Sequence, residues 1–313
     1  MFTPKSFFHL IKELRTENDC RQFLEDLRWK GEPVCPHCGS KTEKHYKLKI
    51  KGIFKGLYKC KDCRKRFTVT TGTMFQSTHI PLEKWLFVIC MFTGHKSGTS
   101  SVQLAKDIGV TQKTAWYILG RIRDNFGGVI KVLFGDMTQV DETYIGGKNN
   151  KKNYKKRKKG TQGRSTKIKT PVMGLRNSDG LTRTIVIPDT KGNTLKFIID
   201  YFVPKGSTVI TDGWVGYKGL SKEYIHEVVD HSTGQYVRGK YHTNGIENFW
   251  SQLKRGIIGV YRSVSIKHLQ KYCEEFEYRY NTRRLSDIER FNLLLVNANK
   301  RLKYKELIDK NYY

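Results

Sequence analysis

Acidic residues are scarce in this chain, 29 Asp and Glu against 58 Lys and Arg, so carboxylates at the ends of apolar runs carry information. Three stand out. Asp141 lies in a β-prone run, V-D-E-T-Y-I; Asp212 ends another, V-I-T-D-G-W; Glu247 opens a helical pattern in H-T-N-G-I-E-N-F-W. Three carboxylates brought together repel one another unless divalent cations sit among them. Hard oxygen donors that leave room for water suit Mg²⁺ (or Mn²⁺), and two such ions activate an attacking oxygen and steady a leaving one. On a helix, Ile246, Phe249, Trp250, Leu253 and Ile257 form one apolar stripe, while Glu247, Ser251 and Lys254 share the adjoining face. A carboxylate for metal and the Lys254 ammonium for a DNA phosphate then line one cleft, with Arg255 next to it. Glu142 points away from Asp141 on the same strand, so a shift of one residue in register exchanges the two. Asn244 and Asn248 flank Glu247 as alternative donors.

A second constellation is made of sulfur. Cys35-Pro-His-Cys38 and Cys60-Lys-Asp-Cys63 are two C-x-x-C pairs separated by 21 residues. Two residues between thiolates let both sulfurs reach one ion, and four thiolates in tetrahedral geometry make a closed, structural Zn²⁺ site. His37 competes poorly with the thiolates on either side of it. Cys20, Cys90 and Cys273 fall on apolar helical stripes and read as small core residues.

The elements that must position these groups follow from pattern. Residues 1–30 read as an N-terminal helical segment, 31–75 as a zinc ribbon, 76–130 as a helix-turn-helix region, 136–285 as a catalytic α/β domain, and 286–313 as a C-terminal helical tail. In 102–123, Leu104, Ala105 and Ile108 face inward, Gly109 permits a turn, Thr111 caps a second helix, and Ala115, Ile118, Leu119 and Ile122 point to the core. That leaves Gln112, Lys113, Tyr117, Arg121 and Arg123 for DNA. From residue 136 the order is three strands, then helix, strand, short helical piece, strand and two long helices. A meander followed by alternating helix and strand is the element order of an RNase H-like fold, a mixed five-stranded sheet covered on both faces. In that order the first strand lies beside the fourth, which makes Asp141 and Asp212 neighbours, and the helix after the fifth strand presents Glu247 to both.

Composition names the partner class. A net charge of +29 favours a polyanion, with double-stranded DNA the first expectation. A hydrophobic content of 38% is too high for wholesale disorder, and no apolar run approaches the ~18 residues of a membrane span. Residues 148–169 carry eleven Lys and Arg and no acid, and read as a basic insertion after the first strand, with Lys155, Lys156, Arg157, Lys158 and Lys159 at its densest point. The amphipathic start lacks the apolar stretch of a secretory signal, and paired cysteines fit a reducing compartment. The expected location is cytoplasmic, on the nucleoid in a prokaryote.

Taken in order, C-P-H-C-G…C-K-D-C, T-G-T-M-F-Q-S-T-H-I-P-L-E-K-W, L-A-K-D-I-G-V-T-Q-K-T-A-W, V-D-E-T-Y-I-G-G-K, T-D-G-W-V-G-Y, H-T-N-G-I-E-N-F-W-S-Q-L-K-R-G and F-E-Y-R-Y-N-T-R-R resemble insertion-sequence transposases with an N-terminal zinc ribbon before a DDE domain. The spacing of 35 positions from Asp212 to Glu247, with Lys254 seven further on, resembles the same class. The resemblance implies Asp141, Asp212 and Glu247 as metal ligands, with Lys254 as a DNA-contacting helper. It implies hydrolysis at the element's end, then attack of the freed 3′-OH on target DNA. It also implies terminal inverted repeats as the bound sequence and a homodimer or larger assembly on DNA. A silent DNA-binding regulator and a nuclease without strand transfer are the other readings.

Overall fold

The computed structural model describes residues 6–146, 165, 166, 168–229, 234 and 237–309. The chain divides into two compact units, one formed by Met1–Val129 with Arg284–Tyr313 and the other by Ile130–Arg283.

In the second unit, alternating side chains of a mixed sheet feed two cores. Strands β4 (Met137–Gly146), β5 (Lys169–Asn177), β6 (Thr182–Val186), β7 (Thr208–Asp212) and β8 (Ile225–Val229) take the order β6-β5-β4-β7-β8. The β4-β5-β6 meander is antiparallel, whereas β7 runs parallel to β4 and β8 parallel to β7. The turn between β5 and β6 is closed by Gly180, at φ 79°, whose N–H donates to Asn177 O at 3.0 Å. On one face Val140, Met173, Leu175 and Val209 pack with Leu195 and Ile199 of α6 (Gly192–Phe202). On the other, Ile145 and Val172 pack with α7 (Asn244–Gly256) and α8 (Ile266–Asn281) through Ile246, Phe249, Leu253, Leu269 and Phe276. The strands and helices expected beyond residue 136 are therefore present, in an α/β domain. Leu269, Cys273, Phe276 and Tyr280 are buried in packing.

Strand β6 ends the sheet, and α8 covers its outer edge with side chains. Gln270 Oε1 accepts from Val186 N at 2.9 Å and its amide donates to Thr184 O at 3.0 Å. Glu277 accepts from Thr184 N at 2.6 Å, and Asn281 pairs with both Thr182 N and Thr182 O at 2.8 Å. Positions 270, 277 and 281 share one helical face, so α8 replaces a missing strand and blunts an edge that otherwise templates aggregation.

The other unit begins with α1 (Phe7–Glu13) and α2 (Glu17–Trp29), the latter started by a capping box between Thr16 and Asp19. A three-stranded ribbon follows, β1 (Tyr46–Ile50), β2 (Ile53–Lys59) and β3 (Arg66–Phe67), with Trp29 of α2 edge-on to Tyr58 and Phe67. Then come α3 (Leu82–Gly94), α4 (Ser101–Ile108) and α5 (Gln112–Arg123). The chain's last segment adds α9 (Asp287–Val296) and α10 (Tyr304–Ile308); Phe291 stacks on Phe23 of α2 and Leu307 lies against Gly120 of α5.

Helices α4 and α5 are joined as expected, with Gly109 left-handed at φ 61° and the Thr111 hydroxyl accepting from Thr114 N. The expectation for the outer face of α5 needs correction. Arg121 is 3% exposed and donates to Leu302 O, Met74 O and Gln76 O at 2.8–3.0 Å. Arg123 is equally buried, against the Phe92 ring, and the Tyr117 hydroxyl donates to Leu302 O at 2.9 Å. The C-terminal segment lies where DNA was expected, and only the first turn of α5, with Gln112 and Lys113, is exposed. Among the described residues no helix is long and apolar enough to cross a membrane.

Candidate active site

Strands β4 and β7 pair in parallel at Met137↔Thr208, Thr138↔Val209 and Gln139↔Ile210. Continuing that register by two residues brings Asp141, in the middle of β4, level with Asp212, the last residue of β7, on the same face of the sheet. Asp141 is half-buried and its carboxyl is pushed up to about 6, first by burial, then by the negative charge of Asp212 and, more weakly, of Glu247. The three acids thus share one electrostatic neighbourhood.

Helix α7 reaches this face because its N-terminus is docked on the sheet. Gln139, buried two residues before Asp141, accepts from Ile246 N at 3.2 Å. Gly245 leaves room for that contact, since a Cβ there meets Gln139 Oε1 at 2.7 Å. Glu247, in the first turn, lies at the positive end of the helix dipole, and Thr243, itself buried, donates its hydroxyl to Glu247 Oε1 at 2.9 Å. One turn on, Trp250 donates its indole N–H to Asp141 Oδ2 at 3.0 Å. Asp212 Oδ1 accepts from Trp214 N at 3.0 Å, which fixes the turn that leaves β7.

The register question at Asp141 and Glu142 is answered by the sheet. Asp141 faces α7, whereas Glu142 shares the α6 face with Val140 and accepts the hydroxyl of Tyr217, a buried phenol held well above its usual range by burial and by Glu142. Lys254 and Arg255 are exposed further along α7. Lys155, Lys156, Arg157, Lys158 and Lys159 lie outside the described residues. Sequence reasoning missed Gln139, Gly174, Thr243 and Trp250; an isolated glycine within a strand, facing an aromatic helix, was the one signal present.

In the other unit, Cys35, Cys38, Cys60 and Cys63 place their sulfurs within 4.8 Å of one another. Sγ separations of 3.6 Å, for Cys35–Cys63 and Cys38–Cys60, match the edge of a tetrahedron with Zn–S of about 2.3 Å. Each knuckle turns through a left-handed residue, Gly39 at φ 76° and Arg64 at φ 62°. His37 turns away to Arg66 O, 3.2 Å from Nε2. These four cysteines are a structural Zn²⁺ site.

Comparison with known proteins gives two domain matches. Residues 15–66 match the transposase zinc-ribbon domain, and residues 133–281 match the ISXO2-like transposase domain. The two matched domains are those of an insertion-sequence transposase with an N-terminal zinc ribbon. A protein in the transposable element ISH50 of Halobacterium salinarum, itself described as uncharacterized, is 29% identical over 300 residues, which cover 92% of this chain and 99% of that relative. The zinc-ribbon match contains all four cysteines, and the transposase-domain match contains Asp141, Asp212 and Glu247.

Proposed function

We propose that this transposase binds the terminal inverted repeats of its insertion sequence and catalyses divalent-metal-dependent hydrolysis and strand transfer from an RNase H-like domain. The observation that carries the reading is the convergence of Asp141 and Asp212, level with each other on adjacent parallel strands, with Glu247 on the helix docked beside them. The strand order β6-β5-β4-β7-β8, with helices on both faces, supports the fold.

The donor set fits Mg²⁺ or Mn²⁺. All three side chains offer hard oxygens, and the mutual repulsion felt by Asp141 is the kind a divalent cation relieves. Bound there, the ions supply an activated oxygen nucleophile and charge neutralisation for the leaving oxygen. Asp141, Asp212 and Glu247 hold them, Thr243 orients Glu247, and Lys254 and Arg255 on the same helix contact the DNA backbone. Sequence reading falls to the other unit, where the lysine-rich ribbon and the first turn of α5, Gln112 and Lys113, face solvent. The basic run that includes Lys155–Lys159 adds salt-dependent grip on phosphates. Joining two element ends calls for a dimer or larger assembly on DNA.

The test is reaction of the full chain with DNA carrying its gene's own flanking sequence, with and without Mg²⁺. Joined products are expected. Nicks without joining indicate a nuclease, and tight binding without cleavage a DNA-binding regulator.

A further inference from the structure

The contact between Trp250 and Asp141 assigns a role to a residue that is neither acidic nor exposed. Trp250 is 4% exposed, lies three residues after Glu247 on α7, and packs edge-on against Phe249 with ring centroids 5.2 Å apart. Its ring occupies the space above Gly174, the residue paired with Asp141 across β4 and β5. A Cβ at Gly174 comes within 2.5 Å of Trp250 Cζ2 and 2.7 Å of Cη2, so the strand next to Asp141 has to lack a side chain there for the indole to fit. An indole N–H is a donor only, and a buried one requires an acceptor. The acceptor here is Asp141 Oδ2, at 3.0 Å.

We propose that Trp250 is a positioning residue for Asp141: seated in the gap left by Gly174, its N–H holds Oδ2 and thereby presents Oδ1 to a divalent cation. This rests on the carboxylate centre proposed above. The arrangement also couples two ligands mechanically, because the helix that carries Glu247 carries the donor that orients Asp141. A tilt of α7 moves both together.

The experiment is calorimetric titration of Mn²⁺ into the zinc-loaded full chain. Four forms are compared: the unaltered protein, Trp250→Phe, the protein with benzothienylalanine at 250, and Asp141→Asn. Benzothienylalanine keeps the shape of the indole and replaces N–H by sulfur, so it carries the test should Trp250→Phe fail to fold. Mn²⁺ affinity is expected to fall about tenfold or more without the N–H. Zinc content and circular dichroism should stay unchanged, and raised Mn²⁺ should restore cleavage. Equal affinity with and without the N–H overturns the role of Trp250 while leaving the centre intact. If Asp141→Asn binds Mn²⁺ as the unaltered protein does, or if neither binds, the carboxylate centre itself fails.

Discussion

At the scale of single residues, chemistry here depends on which side chains are held and which are free. Arg121 shows how much a basic residue owes to its surroundings. Its guanidinium satisfies three carbonyls, two of them in the segment after the ribbon and one, Leu302 O, 181 residues away. Replacing it by Met leaves those carbonyls without a donor in a buried place, and a loss of about 3 kcal/mol is expected. Thermal unfolding and limited proteolysis of the C-terminal segment read it; an unchanged midpoint contradicts the clasp. The same residue marks a limit of sequence reading. A basic side chain on the outer face of a helix is ordinarily solvated, and nothing local to α5 announces that a segment from the far end of the chain covers it. The carboxylates were legible for the opposite reason, because acids are rare in this chain and Asp212 and Glu247 fall at element ends. Trp250 and Gly174 were not, since their meeting depends on the pairing of β4 with β5, which periodicity alone does not set.

At the scale of elements, the sheet is finished by a helix rather than a strand, and the device has a pH signature. Glu277, buried against β6 and bonded to Thr184, has its carboxyl pushed up to about 7, burial outweighing the charge of Arg183 and the hydrogen bonds from Thr184. Between the ordinary value of 4.5 and about 7 the native state binds more protons at this site than the unfolded chain does. Stability from this group is therefore full below about pH 4.5 and is lost as pH rises towards 7, by roughly 3 kcal/mol. Glu277→Gln has no proton to lose and keeps an acceptor for Thr184, so its stability relative to the unaltered protein is expected to grow across that window. Denaturant unfolding at pH 5 and pH 7.5 measures it, and a pH-independent difference contradicts the assignment. The order of strands and helices was readable from hydrophobic periodicity. That Gln270, Glu277 and Asn281 face β6 was not, because polar residues on a helix look the same whether they meet water or a strand edge.

At the scale of the whole chain, two compact units divide the work: one holds the zinc ribbon and is completed by residues from both ends of the sequence, and the other holds the acids. The interleaving explains why a linear reading saw a separate C-terminal tail where the structure has a structural part of the first unit, with Phe291, Leu302 and Leu307 in its core. The central claim is that Asp141, Asp212 and Glu247 act as one metal centre. It is tested most directly by single-turnover cleavage of element-end DNA in Mg²⁺ with Asp141→Asn, Asp212→Asn, Glu247→Gln and, as control, Glu142→Gln on the opposite face of the sheet. Each of the first three is expected to lose on the order of a thousandfold in rate, with zinc content and DNA binding retained, while Glu142→Gln cleaves. Cleavage surviving in any of the three, or lost only in Glu142→Gln, contradicts the account.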